Sequence, residues 1–521
     1  MPVIRDRLIK GDARNYASYI VSSHEAYKLY ANRWQFLQDS YNGGFEYFHG
    51  RYLEPYYYES RDDYEKRLRQ VGLDNHVKSV VDIYNSFLFK KDPVRNLGNL
   101  ETDPTVGPFM DDADLDGRSY KQFLMDVATW SQVYGNVWVI VDKVNTNAMT
   151  RAEELQQSVR PYVSLFHPLD VLDWEYTRGP NGFYELTYLK VKEEIIQDTQ
   201  FIREYTPTEI NIYKISGKDR HGEYVETMPN QLGKVPAICV YAKRSQVRGI
   251  GISPLGDTSD IQKEIYEFHS EIEQIVRLSN HPSLVKTADT EASAGAGSII
   301  QMPQNLDPNL KPFLLQPNGS NIDSVLKAIE KKVESIDRTN HLGGIRSPES
   351  RRLSGVAISS EFSQLSSRLA TFASQLEHAE EQIWRLYALY EGTAFDGIVE
   401  YPRSFSIQDR ANDISLLKMA KESNIGNPFI NDEIDKKLYR TIMEDEAMDI
   451  PEQQDTPDTP APTTTPLKLD MPHPPMENAP DMIQHMRDMI SEGYTNEQIL
   501  DIHPEINKFF GDNNGEETQG S

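Results

Sequence analysis

Apolar residues recur at alternating steps of four and three in three stretches of this chain. Over 257–280 the positions are Ile261, Ile265, Phe268, Ile272 and Ile275. Such a heptad seam predicts a long amphipathic helix with one buried stripe. Over 321–341 the rhythm returns with Ile322, Val325, Ile329, Val333 and Ile336. Over 356–391 it runs through Phe362, Leu365, Leu369, Phe372, Leu376, Ala379, Ile383, Leu386 and Tyr390. Between the first two helices, 281–320 holds Gly295, Gly297, Pro303, Pro308, Pro312 and Pro317, which predicts short strands between rigid turns. Between the second and third, 342–355 is a basic loop with Gly343, Gly344 and Gly355 as hinges. The predicted order is strut, tip, strut, loop, beam.

Upstream, 12–91 reads as helical. Ser60 and Asp63 have the spacing of a capping box, and Val77, Val80, Val81, Tyr84 and Phe87 give a helix over 75–89 its buried face. Pro93 ends that helix, because proline disfavours helical geometry in the residue before it. A helix over 119–133 stops at Gly135. The run Val137-Trp138-Val139-Ile140-Val141 predicts a buried strand. Alternation over 161–242 predicts strands at 162–166, 184–191, 201–205, 210–215 and 237–241, with turns at Gly179-Pro180, Asn181-Gly182 and Gly217. The fold class is therefore α+β and predominantly helical. After the beam, 398–405 predicts a strand returning to the α+β region, and helices follow over 414–423 and 431–443. Nine prolines in 451–480 make a solvated linker. Beyond it, 481–510 predicts a small helix pair.

Composition narrows the function. The chain has 521 residues and a net charge of −26, with a mean hydropathy of −0.59. A strongly acidic surface repels nucleic acid, so duplex DNA would touch only local basic patches. The single cysteine, Cys239, lies in an apolar run and predicts a buried structural thiol. No apolar run reaches membrane-spanning length, and the first residues lack a signal-peptide core. Arg248-Gly249-Ile250-Gly251-Ile252-Ser253 precedes a helix but lacks the third glycine of a dinucleotide loop and the Gly-Lys-Ser/Thr of a nucleotide-hydrolysing one. His269 with Glu273, and His378 with Glu380 and Glu381, fit solvated helix faces better than metal sites. No cofactor, metal site or enzymatic activity is expected. Glu264, Glu267, Glu271 and Glu273 read as a solvated acidic face, of interest where many copies line one tunnel. Arg346, Arg351 and Arg352 make the basic loop the one patch that breaks the acidic trend.

Several segments, taken in order, resemble the portal proteins of tailed bacteriophages, the head-to-tail connectors. Residues 51–53, 59–68 and 75–93 resemble the entry to a portal wing. The segments Tyr134-Gly135-Asn136 through Asp142, and 160–174, resemble the wing's passage from helix to sheet. Leu353-Ser354-Gly355-Val356-Ala357-Ile358, running into the long helix, resembles a tunnel loop entering the wing helix. The resemblance covers about 45–445.

It implies an N-terminal region and wing of helices plus mixed β-sheet over 1–256, a two-helix stem (257–280 and 321–341) and a small β-containing clip over 281–320. It further implies a tunnel loop over 342–355, a long wing helix and returning strand over 356–410 and a helical crown over 411–450. The linker (451–480) and the C-terminal module (481–521) lie beyond it. The implied function is a homo-oligomeric ring of 12 copies at the unique capsid vertex, the channel for viral genome packaging and ejection. The implied partners are double-stranded DNA in the channel, the terminase large subunit, head-completion, adaptor and tail proteins, and the major capsid protein, with no membrane. Arg346, Arg351 and Arg352 would touch DNA from the tunnel loop. Lys286, Gln301, Asn305 and Lys311 would form the clip's docking surface. Glu264, Glu267, Glu271 and Glu273 would line the channel. The implied location is the virion, after synthesis in the host cytoplasm. The alternative reading is a non-channel structural or adaptor protein of a phage virion.

Overall fold

The structure is a computed structural model and describes residues 20–144, 150–216, 221–280, 283–285, 307, 313–315, 320–346, 355–403, 405, 418–421 and 434–435. The chain divides into two compact units, Met1–Asn424 and Ile425–Ser521. Of the expected crown, residues 418–421 and 434–435 are helical. The proline-rich linker and the C-terminal helix pair lie outside the described residues.

The first unit opens with helices α1 (Glu25–Asn42), α2 (Gly44–Gly50), α3 (Arg61–Gln70) and α4 (His76–Leu88). Ser60 caps α3, its hydroxyl accepting from the Asp63 N–H at 3.2 Å and donating to the Asp63 carboxylate at 2.7 Å. Asn75 caps α4 through the Lys78 N–H. Val77, Val80, Val81, Tyr84 and Leu88 bury the inner face of α4.

Strand β1 (Val94–Asn96), helix α5 (Val106–Asp111) and helix α6 (Tyr120–Tyr134) follow. The α6 helix begins in a Ser119/Gln122 capping box and ends at Gly135, whose φ of +96° suits glycine. The next elements are β2 (Asn136–Lys143), α7 (Arg151–Gln156), β3 (Pro161–Phe166), β4 (Val171–Arg178), β5 (Tyr184–Ile196), β6 (Thr199–Tyr205), β7 (Glu209–Ser216), β8 (His221–Pro229) and β9 (Ala237–Tyr241). They form two separate sheets, a three-stranded one in the order β3-β2-β9 and a five-stranded meander from β4 to β8. Every described strand pair is antiparallel, so the expected mixed sheet resolves into two antiparallel ones. In β2, Val139 pairs with Leu165 on one side and Ile238 on the other. This central position explains a run without alternation: all residues from Asn136 to Val141 are buried.

The remaining elements are α8 (Gly256–Asn280), β10 (Ser283–Val285), β11 (Phe313–Leu315), α9 (Ser320–Thr339), α10 (Gly343–Arg346), α11 (Gly355–Tyr390) and β12 (Ile398–Glu400). At 1.5 Å per residue, α11 is about 54 Å long over its 36 residues. It runs through the core, burying Leu365, Leu369, Leu376, Ile383 and Trp384. The strand expected over 398–405 is three residues long. It pairs with β1, Arg95 opposite Val399, and joins neither sheet.

Glu380 corrects the expectation of a solvated polar face on the beam. It is fully buried and accepts from Arg95 Nε at 2.5 Å, from the Tyr401 hydroxyl at 2.7 Å and from Trp384 Nε1 at 3.3 Å. One carboxylate thus fastens α11 to β1 through Arg95 and to Tyr401, the residue that follows β12.

Candidate functional site: a helical hairpin with a strand-paired tip

Helices α8 and α9 run antiparallel: Thr258 meets Asn340 near the root and Glu264 meets Lys332 further along. Ile265 and Ile336 lie in the main core, with Ile261, Ile329 and Val333 packed against it. Near the root the seams therefore pack within one chain. Polar contacts hold the root of the hairpin. Asn340 Nδ2 donates to Thr258 Oγ1 at 2.8 Å, and the Tyr84 hydroxyl donates to the Asn340 carbonyl at 2.9 Å. Gln262 accepts from the Val77 N–H at 2.8 Å and donates to the Ser40 carbonyl at 3.0 Å. Arg67, only 3% exposed, grips Glu59 at 2.7 Å through Nε and through Nη2, and reaches Ser270 Oγ at 3.1 Å.

Burial fades along the hairpin. Thr258, Ser259, Gln262, Ile265, Tyr266 and Ser270 of α8 are buried, and no described residue of α8 beyond Ser270 is. In α9 burial begins only at Ile336. The root belongs to the core and the far half stands out from it. Beyond it, β10 pairs with β11, Ser283 opposite Leu315 and Val285 opposite Phe313. A two-stranded ribbon of this size is marginal alone, and its Phe313 is 54% exposed. The clip residues Lys286, Gln301, Asn305 and Lys311 lie outside the described residues, as do the loop arginines Arg351 and Arg352.

Arg346 closes α10 at the root of the hairpin. Its guanidinium lies 3.2 Å from Asp337 and 2.8 Å from His76 Nδ1. Burial pushes the His76 imidazole down and the Asp337 carboxyl up. In this chain Arg346 ties α10 to α9 and α4. Of the four stem glutamates, Glu264 pairs with Lys332 across the hairpin, and Glu267 lies 3.7 Å from Lys263. Glu267 is crowded, its carboxyl pushed up by burial, pulled back by Lys263 and raised further by Glu54 and Glu264. Glu264, Glu267 and Glu271 share one stripe at steps of three and four, whereas Glu273 sits on another face.

The glycine loop before α8 has a packing role. Gly251 donates to Asn136 Oδ1 at 2.8 Å, Asn136 Nδ2 donates to the Gly249 carbonyl at 3.2 Å, and Gly249 donates to the Tyr241 hydroxyl at 2.9 Å. The two glycine amides are thus spent within the fold, on Asn136 at the start of β2 and on Tyr241 of β9. Nearby, burial pushes the Cys239 thiol up to about 12. We expect Cys239 to resist alkylation in folded protein at pH 8 and to react on unfolding. Rapid labelling of the native chain, read by mass spectrometry, would contradict that burial.

A charged cavity of about 710 Å³ is lined by Lys143, Arg151, Arg203, Asp142, Glu154 and Glu391 among others. Its cations are committed to carboxylates: Lys143 to Glu154 at 2.9 Å, Arg203 to Glu193 at 2.6 Å, Arg151 to Asp103 at 3.2 Å. Among the described residues no three His, Cys, Asp or Glu side chains converge on a point where a metal could sit. No helix among them is long and apolar enough to cross a membrane.

No family model and no curated protein matches the chain. Among solved structures, it is similar to a chain in the neck of an empty gene transfer agent particle computed with C6 symmetry. That match has 8% identity and a TM-score of 0.38, and covers 66% of this chain and 85% of that one. A chain in the neck of the native particle, computed with C12 symmetry, matches at 9% identity and a TM-score of 0.40, covering 69% and 88%. One from the virion of the native particle matches at 10% and 0.36, covering 67% and 84%.

Proposed function

We propose that this chain is a bacteriophage portal protein: a subunit of a ring at the unique capsid vertex, a conduit for DNA, without enzymatic activity. The observation that carries this reading is the hairpin of α8 and α9, rooted in the core, uncovered along its far half and ending in a strand-paired tip. Such an arm is a wall element waiting for neighbours. An acidic wall repels duplex phosphate, which centres DNA and keeps it from sticking. With no nucleotide loop in its sequence, the chain would take packaging energy from the terminase, docked at the tip. Head-completion and tail proteins would replace the terminase there, and the capsid protein would surround the wing. Twelve copies would close the ring. Electron microscopy of assembled particles tests this. A ring at one vertex with DNA in its bore is the expected image. A ring too narrow for duplex DNA would favour the non-channel structural role.

A further inference from the structure

The two outer edges of the hairpin differ in charge: that of α8 is acidic, and that of α9 is mixed and carries three exposed cations. On α8, Asp257, Asp260, Glu264, Glu267 and Glu271 follow steps of three and four, on a stripe turned away from the seam residue Ile265. On α9, Lys327, Lys331 and Arg338 share a stripe turned away from Ile336, and all three are exposed, interleaved with the exposed acids Asp323, Glu330 and Glu334. Among the described residues none of these three cations forms an ion pair within the chain. They stand out in a molecule of net charge −26.

The two stripes are in register. The Asn340–Thr258 hydrogen bond fixes which residues of the antiparallel helices lie level. Counting towards the tip, Arg338, Lys331 and Lys327 lie two, nine and thirteen residues from Asn340, and Asp260, Glu267 and Glu271 lie two, nine and thirteen residues from Thr258. With a rise of 1.5 Å per residue, the paired heights are about 3, 13 and 20 Å. Rotation about an axis along the hairpin keeps every residue at its own height. A second copy placed by such a rotation therefore brings each cation level with a carboxylate. A modest tilt slides one stripe along the other without changing the spacing.

We propose that the α9 edge of one copy docks on the α8 edge of the next, Lys327 to Glu271, Lys331 to Glu267 and Arg338 to Asp260. The contact is heterologous, joining two different faces, as ring closure by rotation requires. It rests on the ring reading above and deepens it by naming the faces that meet. The crowding of Glu267 among Glu54 and Glu264 supports it, since a cation from outside would relieve that crowding. Asp260 already holds Arg33 at 2.6 Å and Glu267 has Lys263 at 3.7 Å, so among the described residues Glu271, facing Lys327, is the one carboxylate of the three with no ion-pair partner in its own chain. Exposed pairs of this kind set register and partner choice more than affinity.

The test is charge reversal in the full chain, read by native mass spectrometry and sedimentation, with circular dichroism as the check on folding. Lys327→Glu with Lys331→Glu makes both edges acidic, and the assembled species should fall to the 59.7 kDa chain. Adding Glu267→Lys and Glu271→Lys to that variant reverses both edges and should restore the ring. A folded double variant that assembles like the wild type, or a folded quadruple variant that stays monomeric, would overturn the docking. A wild-type chain that never forms rings would instead remove the ring reading itself.

Discussion

Replacing Gly251 by alanine is expected to cost more than ~4 kcal/mol, at the far end of the range for single substitutions. A Cβ on Gly251 would collide with the carbonyl oxygen of Gly135, and one on Gly135 would lie 2.6 Å from the Ser253 nitrogen. Both obstacles are backbone, so neither can swing aside. The two glycines let the loop before α8 cross the turn between α6 and β2 at contact distance. That crossing joins the root of the hairpin to the three-stranded sheet. Gly107→Ala is the control: Gly107 lies in α5, and an alanine methyl there would meet nothing within 4 Å. It should be neutral or stabilise by ~0.4–1 kcal/mol. Denaturant unfolding of the two variants checks the contrast, and equal midpoints would refute the close crossing.

Glu380→Ala should cost ~3–5 kcal/mol, because it strands a buried guanidinium as well as removing the carboxylate. Arg95 is 15% exposed and Glu380 fully buried. The cause can be isolated. If the cost is the stranded charge, then Glu380→Leu combined with Arg95→Met should recover most of it. A double variant as unstable as Glu380→Ala would show that the Tyr401 and Trp384 hydrogen bonds dominate instead.

Much of this fold was legible in the chain, and for identifiable reasons. The heptad steps of Ile261–Ile275 and Ile322–Ile336 located both hairpin helices, since an amphipathic face leaves a periodic trace. Ser60, Asn75, Ser119 and Gly135 marked helix ends because each has a local bonding role. Strands β4 and β8 were missed. In β4 the alternation of Leu172, Trp174 and Tyr176 with Asp173 and Glu175 is itself a strand signal, whereas β8 is a polar edge strand with little to bury and leaves no such trace. The burial of Glu380 had no signal either, because its partners Arg95 and Tyr401 lie 285 and 21 residues away. At the hairpin, the glutamates were legible as a solvated face. The matching of Lys327 and Lys331 to Glu271 and Glu267 was not, because it depends on a register that only the Asn340–Thr258 contact sets.

In the proposed function, identical copies close into a ring around a passage for duplex DNA. Electron microscopy of the purified chain after concentration, with native mass spectrometry of the same sample, addresses it most directly. Closed rings are expected, of 12 copies by the portal reading, with the paired helices of each copy along a bore wide enough for the duplex. Monomers or small open oligomers under every condition would contradict it.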